Sequence, residues 1–189
     1  MFKKILAALV FTLLAMQMNI CAAMIEPDKI HLGGLTYGSK IDEMKNLHGE
    51  PDVIFDGVEG YETCEYADGA KITYYKISGQ IKSIVVTGDT LNWRADKRIG
   101  VGMSIDEWRE WHAMPDKMKV GDTQTVYLYF HYKADPVIHE TFRDYGLFIA
   151  FNNDSKKITK MMIAGDTDFA SFEEIWEGIM TDMTVNVER

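Results

Sequence analysis

A fifteen-residue segment occurs twice in this chain, and that duplication constrains the fold more than any other feature. Residues 38–52 read GSKIDEMKNLHGEPD and residues 102–116 read GMSIDEWREWHAMPD. They align without gaps at an offset of 64. Identities fall at Gly38/Gly102, Ile41/Ile105, Asp42/Asp106, Glu43/Glu107, His48/His112, Pro51/Pro115 and Asp52/Asp116. The segments that close the two units also correspond: IKSIVVTGDT from Ile81 and ITKMMIAGDT from Ile158, at an offset of 77. The thirteen extra residues of the second unit fall around KADPVIHETFRDYG, a long connection containing Pro136.

Each unit reads as one helix followed by three strands. In the first, Ile41, Met44 and Leu47 repeat at helical spacing, so a helix is expected over 40–47, stopped by Gly49 and Pro51. In the second, Ser104 and Glu107 form an S-x-x-E capping box, and Ile105, Trp108 and Trp111 repeat the apolar stripe. Asp42, Glu43, Asp106 and Glu107 stand in the first turns, where the helix dipole favours negative charge. Strands are expected near 61–66, 70–77 and 80–87, and again near 123–133, 145–151 and 157–164. Ala67-Asp68-Gly69, Ser78-Gly79 and Asn152-Asn153-Asp154 supply the turns. A last helix is expected from Ser171, with Phe172, Ile175, Trp176 and Ile179 on its apolar face.

At Ile30-His31-Leu32-Gly33-Gly34-Leu35, at Ile99-Gly100-Val101-Gly102-Met103-Ser104 and at the helix exit Leu47-His48-Gly49-Glu50-Pro51, the chain resembles two known groups. These are the SmpA/OmlA (BamE-like) envelope proteins and the tandem-repeat β-lactamase inhibitory protein (BLIP) type. Ala113 departs from the pattern where the second helix exit should carry glycine. The resemblance implies an α+β fold of two tandem helix-plus-three-stranded antiparallel units with a C-terminal helix. It also implies a non-enzymatic protein that binds other proteins, and it transfers no contact residue.

The N-terminus points to export. Lys3 and Lys4 precede a twelve-residue apolar stretch, 5–16, and Cys21-Ala22-Ala23 offers small residues for cleavage. A stretch of twelve residues falls short of the roughly 20 that a membrane-spanning helix needs. A lipid anchor on Cys21 is disfavoured by the bulky Ile20 before it. The expected organisation is a signal peptide over 1–23, unit one over 24–90, unit two over 91–167 and a helix and tail over 168–189. Cleavage removes two lysines and no acids, taking the net charge from −9 to −11. Such a chain repels nucleic acid and anionic surfaces. It also leaves Cys64 alone, without a disulfide partner.

No catalytic or metal-binding pattern stands out, and no cofactor is expected. His48 and His112 occupy equivalent helix C-termini, where the dipole and the last carbonyls satisfy them. His131 and His139 flank Asp135 without the further ligands a metal needs. The strand VYLYFHYK, 126–133, is the one unusual feature. Val126, Leu128, Phe130 and Tyr132 share one face, while Tyr127, Tyr129 and His131 share the other. A strand apolar on both faces is covered twice or presents one side to a partner. Either the C-terminal helix covers the tyrosine side, or Tyr127, Tyr129 and His131 form a partner-binding face. The expected function is an exported protein-binding module of the cell envelope or exterior. The alternative is a structural or stress-related envelope protein acting with cell-wall or membrane machinery.

Overall fold

The structure is a computed structural model that describes residues 30–57, 60–95, 99–112, 114–135 and 140–165. The expected signal peptide, the C-terminal helix and His139 lie outside the described residues. So do the side chains of Trp111 and of residues 134–143.

Helix α1 spans Ile41–His48 and helix α2 spans Ile105–Trp111. Glycine ends the first: Gly49 adopts φ 83°, and its N–H donates to the Lys45 carbonyl at 2.9 Å. A left-handed conformation of this kind closes a helix at little cost only without a side chain. Ser104 caps the second, its hydroxyl accepting from the Asp106 N–H at 3.1 Å. Four strands follow each helix: β1 (Val53–Asp56), β2 (Tyr61–Glu65), β3 (Ala70–Tyr75) and β4 (Ile81–Val86), then β5 (Lys117–Val120), β6 (Gln124–Asp135), β7 (Glu140–Asn152) and β8 (Ile158–Gly165).

All eight strands form one antiparallel sheet in the order β1-β2-β3-β4-β8-β7-β6-β5. This corrects the expected fold class. The chain does not make two helix-plus-three-strand units, each with its own sheet. Each stretch carries a fourth, short outer strand, and the two meanders fuse along their last strands. Ser83 pairs with Ala164, Ile84 with Ile163, Val85 with Met162 and Val86 with Met161. The physical reason lies in IKSIVV and ITKMMIAG, which are apolar on both faces and so belong in the middle of a sheet. Left as edges, they would expose unpaired backbone beside apolar side chains.

Both helices pack on the same face of this sheet. Met44 of α1, fully buried, sets its sulfur 3.9 Å from Cys64 Sγ on β2. Burying a side chain of that size is worth about 1.5–3 kcal/mol. Ile105 and Trp108 of α2 are likewise fully buried, above β6 and β7. Ile30, Leu32, Leu35, Trp93, Ala95 and Ile99 come from the irregular segments and join the same core. Leu32 and Leu35 exchange backbone hydrogen bonds of 2.9 and 3.0 Å around Gly33-Gly34. Gly33 is required there. Its φ is +62°, and a Cβ would meet the Asn92 carbonyl and the His48 ring at 2.9 Å. On the opposite face, Val126, Leu128, Phe130, Phe148, Ala150, Met162 and Ala164 form a second cluster, drawn wholly from strands.

Candidate functional site

The expected site strand lies inside β6, and its tyrosine face points toward α2. Tyr129 is 3% exposed, and its hydroxyl accepts from Trp108 Nε1 at 2.8 Å. Burial pushes its phenol well above the ordinary tyrosine range. Tyr127 is 4% exposed and edge-on to Phe151, ring centroids 4.9 Å apart. Its hydroxyl accepts from Arg109 Nε at 3.0 Å, and the guanidinium lies 5.3 Å from its ring. His131 is half-buried and stacks on Tyr145 at 4.4 Å. Desolvation lowers its pKa against the pull of Asp144, whose carboxylate lies 3.7 Å from Nδ1. The three residues therefore share a sheet face, but α2 closes it over the two tyrosines.

The other candidates resolve into structural roles. His48 stacks on Trp93 at 3.9 Å and donates from Nε2 to the Gly33 carbonyl at 2.8 Å, tying α1 to the segment beside it. His112 stacks on Trp108 at 3.7 Å and donates from Nδ1 to the Trp108 carbonyl at 3.1 Å, within its own helix end. Trp93 Nε1 lies 3.0 Å from both Asp68 carboxylate oxygens. Cys64 is fully buried, donates from Sγ to the Ile72 carbonyl at 3.6 Å, and has its pKa pushed up to about 11 by burial. A thiol in that state is a packing group and not a nucleophile. Lys82 is buried beside Tyr37 and Tyr75: its ammonium donates to the Tyr37 hydroxyl at 3.1 Å and sits 4.1 Å from the Tyr75 ring centroid. Among the described residues no group of three or more His, Cys, Asp or Glu could hold a metal ion. No described helix is long and apolar enough to cross a membrane.

An apolar surface does exist, on a strand the sequence reading missed. β1 is the first strand of the sheet, and among the described residues it pairs only with β2. All four of its residues are exposed: Val53 is 51% exposed, Ile54 49% and Phe55 38%. Ile54 lies opposite Cys64, on the helix-bearing face, while Phe55 lies opposite Thr63 on the other. Lys71 lies over the Phe55 ring at 5.7 Å. Carboxylates bracket this row. Glu50 pairs with Lys45 at 2.8 Å before the strand, and Asp56 pairs with Lys76 at its end. The opposite edge, β5, reads Lys-Met-Lys-Val, with a lysine at every second position. The signal available in sequence was the run Val53-Ile54-Phe55 directly after Pro51-Asp52, which was read only as a helix exit.

No protein-family model matches this chain. No curated protein matches it either. Among solved structures, a cysteine-rich secretory protein from Staphylococcus aureus aligns at 16% identity and a TM-score of 0.46, over 74% of this chain and 46% of its own. An extracellular protein containing an SCP domain, from Bacillus anthracis, aligns at 10% identity and a TM-score of 0.39, over 69% of this chain and 44% of its own. The chain thus spans less than half the length of either. The resemblance to SmpA/OmlA and BLIP proteins is withdrawn. One fused eight-stranded sheet replaces the separate three-stranded units on which it rested.

Proposed function

We propose that this chain is an exported, non-enzymatic protein-binding module. The observation that carries this reading is the row Val53-Ile54-Phe55, half-exposed on an edge strand of the sheet. Apolar side chains grouped on an unpaired edge are an association surface, whereas apolar residues scattered singly are not. Export is supported by Lys3-Lys4 and the apolar stretch that follows, with small residues at 22–23. A binding role without catalysis is supported by the structural partners found for His48, His112 and Cys64.

The test is capture. The chain without residues 1–23, carrying an affinity tag, is incubated with envelope and exterior extract. Specific, dose-dependent recovery of a protein is expected. Recovery of nothing above background across extracts would overturn the reading, and turnover of a small molecule would replace it with an enzyme.

A further inference from the structure

We infer that the outer edge of β1 receives an extended segment of another protein, apolar in its middle and flanked by Lys or Arg, which extends the sheet by one strand. This rests on the protein-binding reading and names its surface and partner chemistry.

Three features of the edge select this occupant. First, a sheet edge offers alternate N–H and C=O groups outward, so its natural complement is another extended backbone. A helix or a globular surface would leave those groups unsatisfied. Second, both faces of β1 are apolar and open. An incoming strand would set one row of alternate side chains beside Val53 and Phe55, and the other beside Ile54. Third, the charge around the row is acidic. Glu50 and Asp52 precede it, Asp56 ends it, and Glu62 and Glu65 stand on the neighbouring strand, against Lys45, Lys71 and Lys76. Basic flanks on the partner complement that excess, and acidic ones oppose it.

The same charges argue against a second copy of this chain. Antiparallel pairing of β1 with itself, centred on Ile54, would set Asp56 of each copy opposite Asp52 of the other, between chains that each carry a net charge of −9. The two edges of the sheet also differ. On β5, Lys117 and Lys119 line one face of the strand, and charged residues of this kind discourage strand addition. β1 carries no lysine and no proline within its span.

The experiment uses the chain without residues 1–23 and fluorescein-labelled eight-residue peptides of alternating valine and threonine. One peptide has lysines at both ends, a second has glutamates, and a third has lysines plus N-methyl groups on alternate residues, which removes the N–H groups along one edge. Fluorescence anisotropy should show saturable binding of the first alone. Ile54→Lys should weaken it by about tenfold or more, the scale of a hot-spot loss, while circular dichroism confirms an unchanged melt. Equal binding of the N-methylated peptide, or of the glutamate peptide, would overturn strand addition. So would a dimer in size-exclusion chromatography that Ile54→Lys dissolves, since the occupant would then be a second copy. The same variant in the capture assay separates the two claims. A partner recovered equally by wild type and Ile54→Lys leaves protein binding standing and overturns the β1 edge as its site. No partner recovered by either overturns the broader reading.

Discussion

Trp108 and Tyr129 hold each other through a buried 2.8 Å hydrogen bond, and the energetics of the tyrosine face follow from it. Tyr129→Phe keeps the ring but leaves the Trp108 indole N–H without that acceptor. The cost is about 1–3 kcal/mol, because a buried donor forfeits its water and gains nothing in return. Trp108→Ala, which empties the space under α2, should cost about 3–5 kcal/mol. Urea denaturation of the two variants checks both figures and their order. Gly33→Ala belongs beside them: a non-glycine residue at φ +62° facing the Asn92 carbonyl should cost about 1–3 kcal/mol. Cys64 supplies a pH test. Burial raises its pKa in the folded chain to about 11, above the ordinary thiol value of 9.0, so the protonated thiol favours the folded state. That contribution is complete below about pH 9 and is lost as pH rises toward about 11. Melting temperature should therefore fall more steeply over this interval in wild type than in Cys64→Ala. Identical pH profiles would mean that the thiol titrates alike in the folded and unfolded chain.

Helices and central strands obey strong local rules, and those were the elements legible in the sequence. Ile41-Met44 and Ile105-Trp108 mark helix faces by spacing alone, and α1 and α2 begin within a residue of the expected starts. Ser104 was readable as a cap, and Ser104→Ala should cost about 0.5–2 kcal/mol by removing the acceptor of the Asp106 N–H, as measured by thermal unfolding. Six strands carried turn signals and apolar runs. β1 and β5 were missed because each is four residues long, without the buried-exposed alternation that marks a half-buried strand. The pairing of β4 with β8 was equally hidden, because a contact across some eighty residues leaves no periodic trace. For the candidate site, the sequence correctly marked VYLYFHYK as a strand apolar on both faces. It could not say which element covers which face, and α2 lies over Tyr127 and Tyr129.

At the scale of the whole molecule, duplication and fusion together explain the surface that remains open. Two similar meanders joined at their apolar last strands bury those strands and push the short first strands to opposite ends of the sheet. One end is guarded by Lys117 and Lys119, while the other presents Val53, Ile54 and Phe55. Substituting an exposed position such as Ile54 with Lys should change stability by no more than about 0.5 kcal/mol, so its effect on association is separable from folding. The most direct test of this arrangement is residue-resolved amide hydrogen exchange on the chain lacking residues 1–23. The amides of β4, β7 and β8 should be the slowest, since they exchange only on global unfolding, and the outward amides of β1 should exchange fastest among strand residues. Slow exchange along 53–56, equal to the sheet centre, would show that edge already covered. Fast exchange along 83–86 and 161–164 would show that the two meanders are not one sheet. Either result would contradict the account.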